Sequence, residues 1–410
     1  MARPRLLFVS PRFLFPLDEG GKIRTVGTLR AMKGGAFDIT LLSPAPANAD
    51  DFAEELESVC DHFRSWARLE TTLWTRLKGL AGSTPVSAMS DRSTEGRRLI
   101  AKELAFTPDL ILFDFPHSCV LMPDRLGVPS VMFTHNIEAE ILERHAKVAR
   151  GPMRPVWARE AAKMRAFEAA MLPRFDTVIA VSARDAKGLS EQFGLSNVQL
   201  VDTGVDLDYY GYHAPVERTD TVIFSGAMDS RSNIDGIQFL MDEVWPLLIA
   251  RRPDTRMIVA GRNPPPALVE RARQRGIAWT FTGFVDDIRP HVLAGSVSVI
   301  PLRVGSGTRL KVFEAMALGR PIISTALGVE GLPVEPGRHY VNAESAADFA
   351  DAVADLLDDA ATRERIASNA RHLLEGRFGW AQIGTQFERI CLDTIGYAPV
   401  AIEGELARTA

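Results

Sequence analysis

The run Gly305-Ser306-Gly307-Thr308-Arg309-Leu310-Lys311 leads directly into Val312-Phe313-Glu314, and residues of these types at this spacing could hold a phosphate. The apolar pattern from Leu310 onward predicts a helix, with Arg309 and Lys311 in its first turn. A helix start carries partial positive charge on its unpaired N–H groups, so each cation there is unfavourable by roughly 0.3–1 kcal/mol. A bound anion resolves the conflict. Gly305 and Gly307 let the backbone come close, and the free N–H groups with Thr308 beside them point at the ligand. Arg309 and Lys311 would then stabilise the charge that grows on a leaving phosphate, where electrostatic catalysis is most effective. Glu314 follows one helical turn after Leu310 and Lys311, and a carboxylate can accept hydrogens from two hydroxyls at once. The simpler account is a solvated helix glutamate paired with Lys311.

Two further places invite the same kind of argument. Gly20-Gly21 precede a helix that also opens on cations, Lys22 and Arg24. The pattern is not G-x-G-x-x-G, and no such fingerprint occurs in residues 1–40, which counts against a nicotinamide dehydrogenase. His135 follows the apolar run "PSVMFT", so it belongs at a strand end, although a lone histidine is more often a hydrogen-bonded structural residue. Asp206-Leu207-Asp208 spells a D-x-D, but it lies in a patternless junction and no metal is assigned to it.

Such residues need a scaffold, and the chain supplies one. Short runs rich in Val, Ile, Leu and Phe recur at 5–10, 38–43, 109–115, 129–134, 176–182 and 198–203, with helical patterns between them. A second series follows at 221–226, 256–261, 278–283, 296–302 and 321–325. This alternation predicts an α/β fold of two parallel sheets. The expected domains are residues 1–205, a hinge at 206–220, and 221–380, with a C-terminal helix and tail at 381–410 returning to the first domain. In open sheets of this kind ligands bind outside the carboxyl ends of the strands.

Composition sets limits. The 410 residues are 24% charged and 46% hydrophobic with a net charge of −5, which argues for two soluble domains and against broad nucleic-acid binding. Three scattered cysteines without C-x-x-C spacing suggest neither a disulfide framework nor a zinc site, and a reducing, cytoplasmic setting fits. The start "MARPRLLFVSPRFLFPL" mimics a signal peptide, but Pro11 and Arg12 interrupt the apolar run, so Leu6–Val9 reads as a first strand. No stretch reaches the roughly 18 apolar residues that span a bilayer. Residues 64–80 and 144–175 mix Arg and Lys with Trp, Leu and Met at helical spacing. They read as interfacial helices on anionic lipid or, more commonly, as amphipathic helices packed on a sheet.

Taken together, "FPLDEGGKIR", "HNIE" (135–138), "TGVDLDYY", "SGAMDSRSN", "GFVDDI" and "GTRLKVFEAMALGRPIISTALGVEGL" resemble the family 4 retaining glycosyltransferases over nearly the whole chain. The resemblance implies a GT-B architecture, two Rossmann-like parallel-sheet domains facing across a cleft. It places the acceptor on the N-terminal domain and a nucleoside-diphosphate sugar, UDP- or GDP-linked, on the C-terminal one. It puts Glu314 on the donor ribose, His135 beside the donor sugar, Gly20, Gly21 and Arg24 in a loop closing on the donor, and Phe284 and Val285 at the base. Gly226 and Asn233 belong to the donor loop of the second domain. Two departures stand out: Ser306 replaces a glutamate that touches the transferred sugar in many members, and Ala227 and Asn233 replace the usual diphosphate-gripping arginine and lysine. Arg309 and Lys311 supply two cations from the other side of that site, which answers their odd position.

The implied activity is transfer of a hexose-type sugar to a glycan, lipid-linked or small-molecule hydroxyl acceptor in cell-surface glycan or exopolysaccharide assembly. No cofactor and no metal are expected, and peripheral contact with the inner face of the membrane is compatible with the basic segments. A sugar-nucleotide epimerase of the same fold and a non-catalytic nucleotide-sugar-binding homologue stay open as alternatives.

Overall fold

Six of the apolar runs and one further strand form one sheet: β1 (Arg5–Val9), β2 (Asp38–Ala45), β3 (His62–Ala67), β4 (Leu110–Asp114), β5 (Ser130–Phe133), β6 (Thr177–Ala180) and β7 (Val198–Leu200). They lie in the order β3-β2-β1-β4-β5-β6-β7, and every pairing is parallel. The computed structural model describes residues 3–67, 79–149, 151–215, 219–304 and 310–397. Parallel neighbours need crossover helices, which cover both faces, so β4 can be apolar at four of its five positions and buried at all five. The crossovers include α1 (Gly20–Met32), α2 (Thr94–Leu104), α3 (Glu138–Val148), α4 (Met153–Met171) and α5 (Ala183–Phe193). Ser93 and Ser182 cap α2 and α5 by accepting the N–H of Gly96 and Asp185.

β3 corrects the helical reading of residues 64–80. Phe63 and Trp66 pack a strand onto β2 at the edge of the sheet, Trp66 being buried, and only Gly79–Leu80 of the described remainder is helical. Cationic side chains such as Arg64 are common on an edge strand, and they imitate a basic helix face when only spacing is read. Residues 68–78 lie outside the described residues.

The second sheet holds β8 (Thr221–Ser225), β9 (Arg256–Ala260), β10 (Trp279–Gly283), β11 (Val297–Ile300), β12 (Ile322–Ser324) and the short β13 (Val341–Asn342), in the order β10-β9-β8-β11-β12-β13, again all parallel. Its helices include α6 (Arg231–Phe239), α7 (Leu310–Ala317), α8 (Ala346–Asp358) and α9 (Ala360–Arg377). Phe224, Ile237, Val259, Val299 and Phe349 meet in its core.

The chain divides into two units, residues 1–203 with the segment that begins at Ala381, and Gly204–Trp380. In the second unit Leu207 and Tyr210 pack against the core formed by Phe313 and Met316. The last described helix, α10 (Trp380–Thr394), sets Phe387 edge-on against Phe133 and brings Gly384 against Ala31, where a larger residue would collide. Among the described residues no helix is long and apolar enough to cross a membrane. Cys60, Cys119 and Cys391 are buried and unpaired with one another.

In both sheets the strand order reverses once, between β1 and β4 and between β8 and β11. Outside the carboxyl ends of the strands at such a point the crossovers leave in opposite directions and open a crevice. The residues of interest gather at these two points.

Candidate functional site

At the reversal of the first sheet, Asp114 ends β4 with a fully buried carboxylate. Its Oδ2 accepts the hydroxyls of Thr25 (2.9 Å) and Ser10 (3.4 Å), and its Oδ1 meets His135 Nε2 at 2.6 Å. The other ring nitrogen of His135, Nδ1, is 3.0 Å from Arg24 Nη1. A guanidinium only donates, so Nδ1 must accept and Nε2 carries the proton that it donates to Asp114. Burial pulls the His135 pKa below the usual imidazole value more strongly than Asp114 raises it, leaving a neutral ring. Arg24 is itself buried, donates from Nε to Thr203 Oγ1 (2.9 Å), and is pulled down to about 10 by burial against the opposing charges of Asp185 and Asp114.

The side chains of His135 and Arg24, both expected beside the donor, bond each other here, with Asp114 on the far side of the imidazole and Thr203 on the far side of the guanidinium. Both ring nitrogens of His135 are hydrogen-bonded, which fixes the ring where the chain leaves β5. Asp114 falls inside the apolar run at 109–115, where no spacing singled it out.

The ring of Phe115 explains the glycine loop. It stacks on His135 at 3.9 Å, and a Cβ on Gly21 would come within 2.6 Å of its Cζ. Gly21 is therefore needed for close approach of α1 to an aromatic face. Phe115 holds φ at 64°, a conformation that costs a bulky residue on the order of 1–3 kcal/mol and that no sequence signal announces. Gly20 is exposed at the first position of α1, and the Lys22 ammonium pairs with Asp18 (2.8 Å).

The "HNIE" segment is held by a residue that sequence reading missed. Glu138 and Ala139 open α3, and their N–H groups donate to Oε1 (2.8 Å) and Oε2 (3.0 Å) of Glu168 on α4. Burial pushes the Glu168 carboxyl up to about 8, against the lowering effect of those two bonds. The signal was present: an acid in the apolar stripe Met164, Glu168, Leu172.

At the reversal of the second sheet, Lys311 occupies the first turn of α7 and reaches the loop that follows β8. Its Nζ donates to Asn233 Oδ1 (2.7 Å) and lies 4.3 Å from the centre of the Phe224 ring. Asn233 in turn donates from Nδ2 to the Ala227 carbonyl (2.7 Å). Gly226 has φ of 150°, and a Cβ there would meet Lys311 Nζ at 2.6 Å and Asn233 Nδ2 at 3.0 Å. The ammonium thus sits over the backbone beside Gly226, joined to the asparagine that replaces a family cation.

Glu314, half-buried on α7, accepts the hydroxyl of Tyr210 at 3.2 Å. Among the described residues this is its one hydrogen-bond donor, which leaves most of its accepting capacity unused. Burial holds its pKa above the usual carboxylate value despite Tyr210 and Lys311. Tyr210, which no spacing rule singled out, comes from the "DLDYY" stretch. There Asp206 Oδ1 accepts the Tyr209 N–H (2.8 Å), and Arg289 ties Asp287 to Tyr209 by stacking over its ring at 3.9 Å. Phe284 is 74% exposed and Val285 half-buried directly after β10. Leu310 begins α7, whereas Gly305, Ser306, Gly307, Thr308 and Arg309 lie outside the described residues.

Comparisons with known proteins agree with this arrangement. The pattern of Glycosyltransferase Family 4 matches residues 28–209 and that of Glycosyl transferases group 1 matches 219–359. A glycogen synthase of Mycobacterium tuberculosis is 25% identical, over 95% of this chain and 94% of its own length. A sucrose-phosphate synthase from Thermosynechococcus elongatus superposes with a TM-score of 0.69 at 18% identity, covering 97% of this chain and all of that one. Anabaena Alr3699/HepE in complex with UDP and glucose gives 0.64 at 14% identity, covering 94% and 99%. Between them the two patterns take in most of both sheets, and the chain belongs to the family 4, group 1 glycosyltransferases of GT-B fold.

Proposed function

We propose that the chain is a retaining glycosyltransferase that moves a sugar from a UDP- or GDP-linked donor to a hydroxyl acceptor in cell-surface glycan or exopolysaccharide assembly. The observation that carries the reading is Glu314, a half-buried carboxylate with accepting capacity to spare, on the same helix as Lys311 and at the reversal of the second sheet. A ribose diol matches the carboxylate, and a diphosphate matches the ammonium with the Gly226 backbone. A structural relative that holds UDP and glucose supports the donor class.

In the proposed reaction the bond between the sugar C1 and the diphosphate oxygen breaks. The acceptor oxygen attacks from the face the diphosphate leaves, and its proton passes to a departing phosphate oxygen. Lys311, with Arg309, meets the negative charge that accumulates on the leaving group, so neither a protein nucleophile nor a metal has a part. The buried pair of His135 and Asp114 positions the first sheet's strand ends. Lys311 and Asn233 hold the donor loop in place before the donor arrives.

The test is a thermal-shift panel of UDP- and GDP-sugars on the wild-type chain and on Glu314→Gln. A donor at 100 times its dissociation constant stabilises by roughly 2.7 kcal/mol. One nucleotide series is expected to shift the wild type, and the variant to lose about 1.5–3 kcal/mol of donor affinity with its fold intact. Equal donor affinity in the two proteins would remove Glu314 from the ribose.

A further inference from the structure

The basic, tryptophan-containing segments were unexplained by the donor site, and the structure gives apolar side chains of both, with Leu142 just ahead of the second, a common destination. Trp66, Leu80, Leu142, Met153, Val156 and Trp157 line a cavity of about 700 Å³ that lies wholly within the first unit. Pro11, Pro44 and Trp66 contribute from the carboxyl ends of β1, β2 and β3, the side on which parallel sheets bind ligands. Glu19 and Lys22, which flank Gly20-Gly21, also line it, so the cavity adjoins the glycine loop. We propose that this cavity receives the apolar group, an alkyl chain or an aryl ring, of an electrically neutral hydroxyl acceptor. This deepens the glycosyltransferase reading and rests on it for the word acceptor.

Three observations set the class. The volume falls in the range of small-molecule sites, and the walls are mainly aliphatic and aromatic. The wall is also built rather than accidental. Buried Glu160 accepts the Val86 N–H (2.7 Å) and the Lys163 ammonium (2.6 Å), and Lys163 also holds the carbonyls of Gly79 and Leu80, fixing that side. The Trp157 ring is held against His145 at 4.9 Å.

Finally, all but one of the charges around the cavity are already matched. Arg12 pairs with Glu19 (2.5 Å), Lys22 with Asp18 (2.8 Å) and Asp91 with His117 (2.6 Å). Among the described residues Arg92, exposed, is the cation of the lining without a carboxylate partner. Beyond the exposed Arg92, a phosphate-bearing acceptor would have to break existing pairs to meet a cation, whereas a neutral apolar group needs only to displace water.

The experiment uses the full chain and a neutral fluorescent probe, N-phenyl-1-naphthylamine, competed by octyl β-glucoside below its micelle concentration, methyl β-glucoside and octyl phosphate. Saturable binding of one probe per chain is expected. Octyl glucoside should compete at concentrations at least tenfold lower than methyl glucoside, and octyl phosphate should compete no better than octyl glucoside. Val156→Trp and, at the more exposed wall, Met153→Trp fill the space and should each weaken the probe at least tenfold, with circular dichroism and nucleoside-diphosphate binding unchanged. Two folded variants that bind the probe as the wild type does would overturn the proposal, as would the absence of saturable binding. A tenfold preference for octyl phosphate would overturn it in favour of an anionic acceptor. If the probe results hold but no nucleotide sugar binds or reacts, the cavity stands and the glycosyltransferase reading fails. Sugar transfer that shows no preference for alkyl-bearing acceptors would do the opposite, upholding the glycosyltransferase reading and overturning the cavity's role in acceptor binding.

Discussion

Replacing Lys311 with Met keeps the aliphatic stem and removes the ammonium, and the structure allows its consequences to be separated. In the free protein the change deletes the bond to Asn233 Oδ1 and the contact with the Phe224 ring. Leaving the largely buried Asn233 amide without that donor costs about 1–3 kcal/mol. Removing a cation from the first turn of α7 returns about 0.3–1 kcal/mol, so the expected net destabilisation is on the order of 1–2 kcal/mol. In the complex the change deletes a charge-assisted contact to the diphosphate, about 1.5–3 kcal/mol, or roughly a ten- to 150-fold weaker nucleotide. Because charge on the leaving group grows during the reaction, turnover should fall further, by about 100- to 1000-fold. Calorimetry with UDP and uridine, and with GDP and guanosine, isolates the phosphate contribution. The affinity loss should appear for the diphosphate and be absent for the nucleoside. An equal loss for both, or an unchanged diphosphate affinity, would refute the reasoning, because Lys311 would then serve only the asparagine.

Gly226→Ala should be soluble but bind donor at least tenfold more weakly by calorimetry, since its φ of 150° suits glycine and the new Cβ would crowd Lys311 Nζ. Glu168→Gln tests the buried acid under α3. A carboxyl raised from 4.5 to about 8 on folding adds stability that is complete below pH 4.5 and is lost as pH rises through 8. The slope is about 1.4 kcal/mol per pH unit. Urea melts of the wild type should show that decline across pH 5–8, and those of the variant a flatter profile. Dialysis against EDTA should leave turnover unchanged if the cations of the donor site carry the leaving-group charge; a loss that Mg2+ or Mn2+ restores would contradict the proposed chemistry.

The fold was legible because its signal is repetitive. Eleven apolar runs read from the sequence coincide with strands, most of them buried on two faces and therefore nearly uniformly apolar. β3 and β13 escaped for the opposite reason. Edge strands bury less, so His62–Ala67 has Trp66 as its one buried residue and Val341–Asn342 has none. Charged motifs beside glycine were also legible, since a cation at a helix start conflicts with the local dipole and so asks for a partner. Tyr210, Phe115 and Glu168 were not, because each acts through a contact distant in sequence: a hydroxyl on Glu314, a ring against Gly21, a carboxylate on the N–H groups of α3.

His135 shows how far a motif can carry an argument. Its position after β5 was readable, and the resemblance added a place beside the donor sugar. What neither could supply was the state of its ring. That state follows from chemistry on three other elements: a guanidinium from α1 that can only donate, a carboxylate at the end of β4 that can accept, and a Phe115 ring that seals one face. Together they fix one tautomer, and burial lowers the pKa so that the ring is held neutral. In the proposed reaction the acceptor proton goes to the leaving phosphate rather than to this ring. The burial of His135 and the reliance on Lys311 are in this proposal one argument, since a reaction that leaves the imidazole in its bonded, neutral state depends on a leaving group that the donor-site cations have made stable enough to depart.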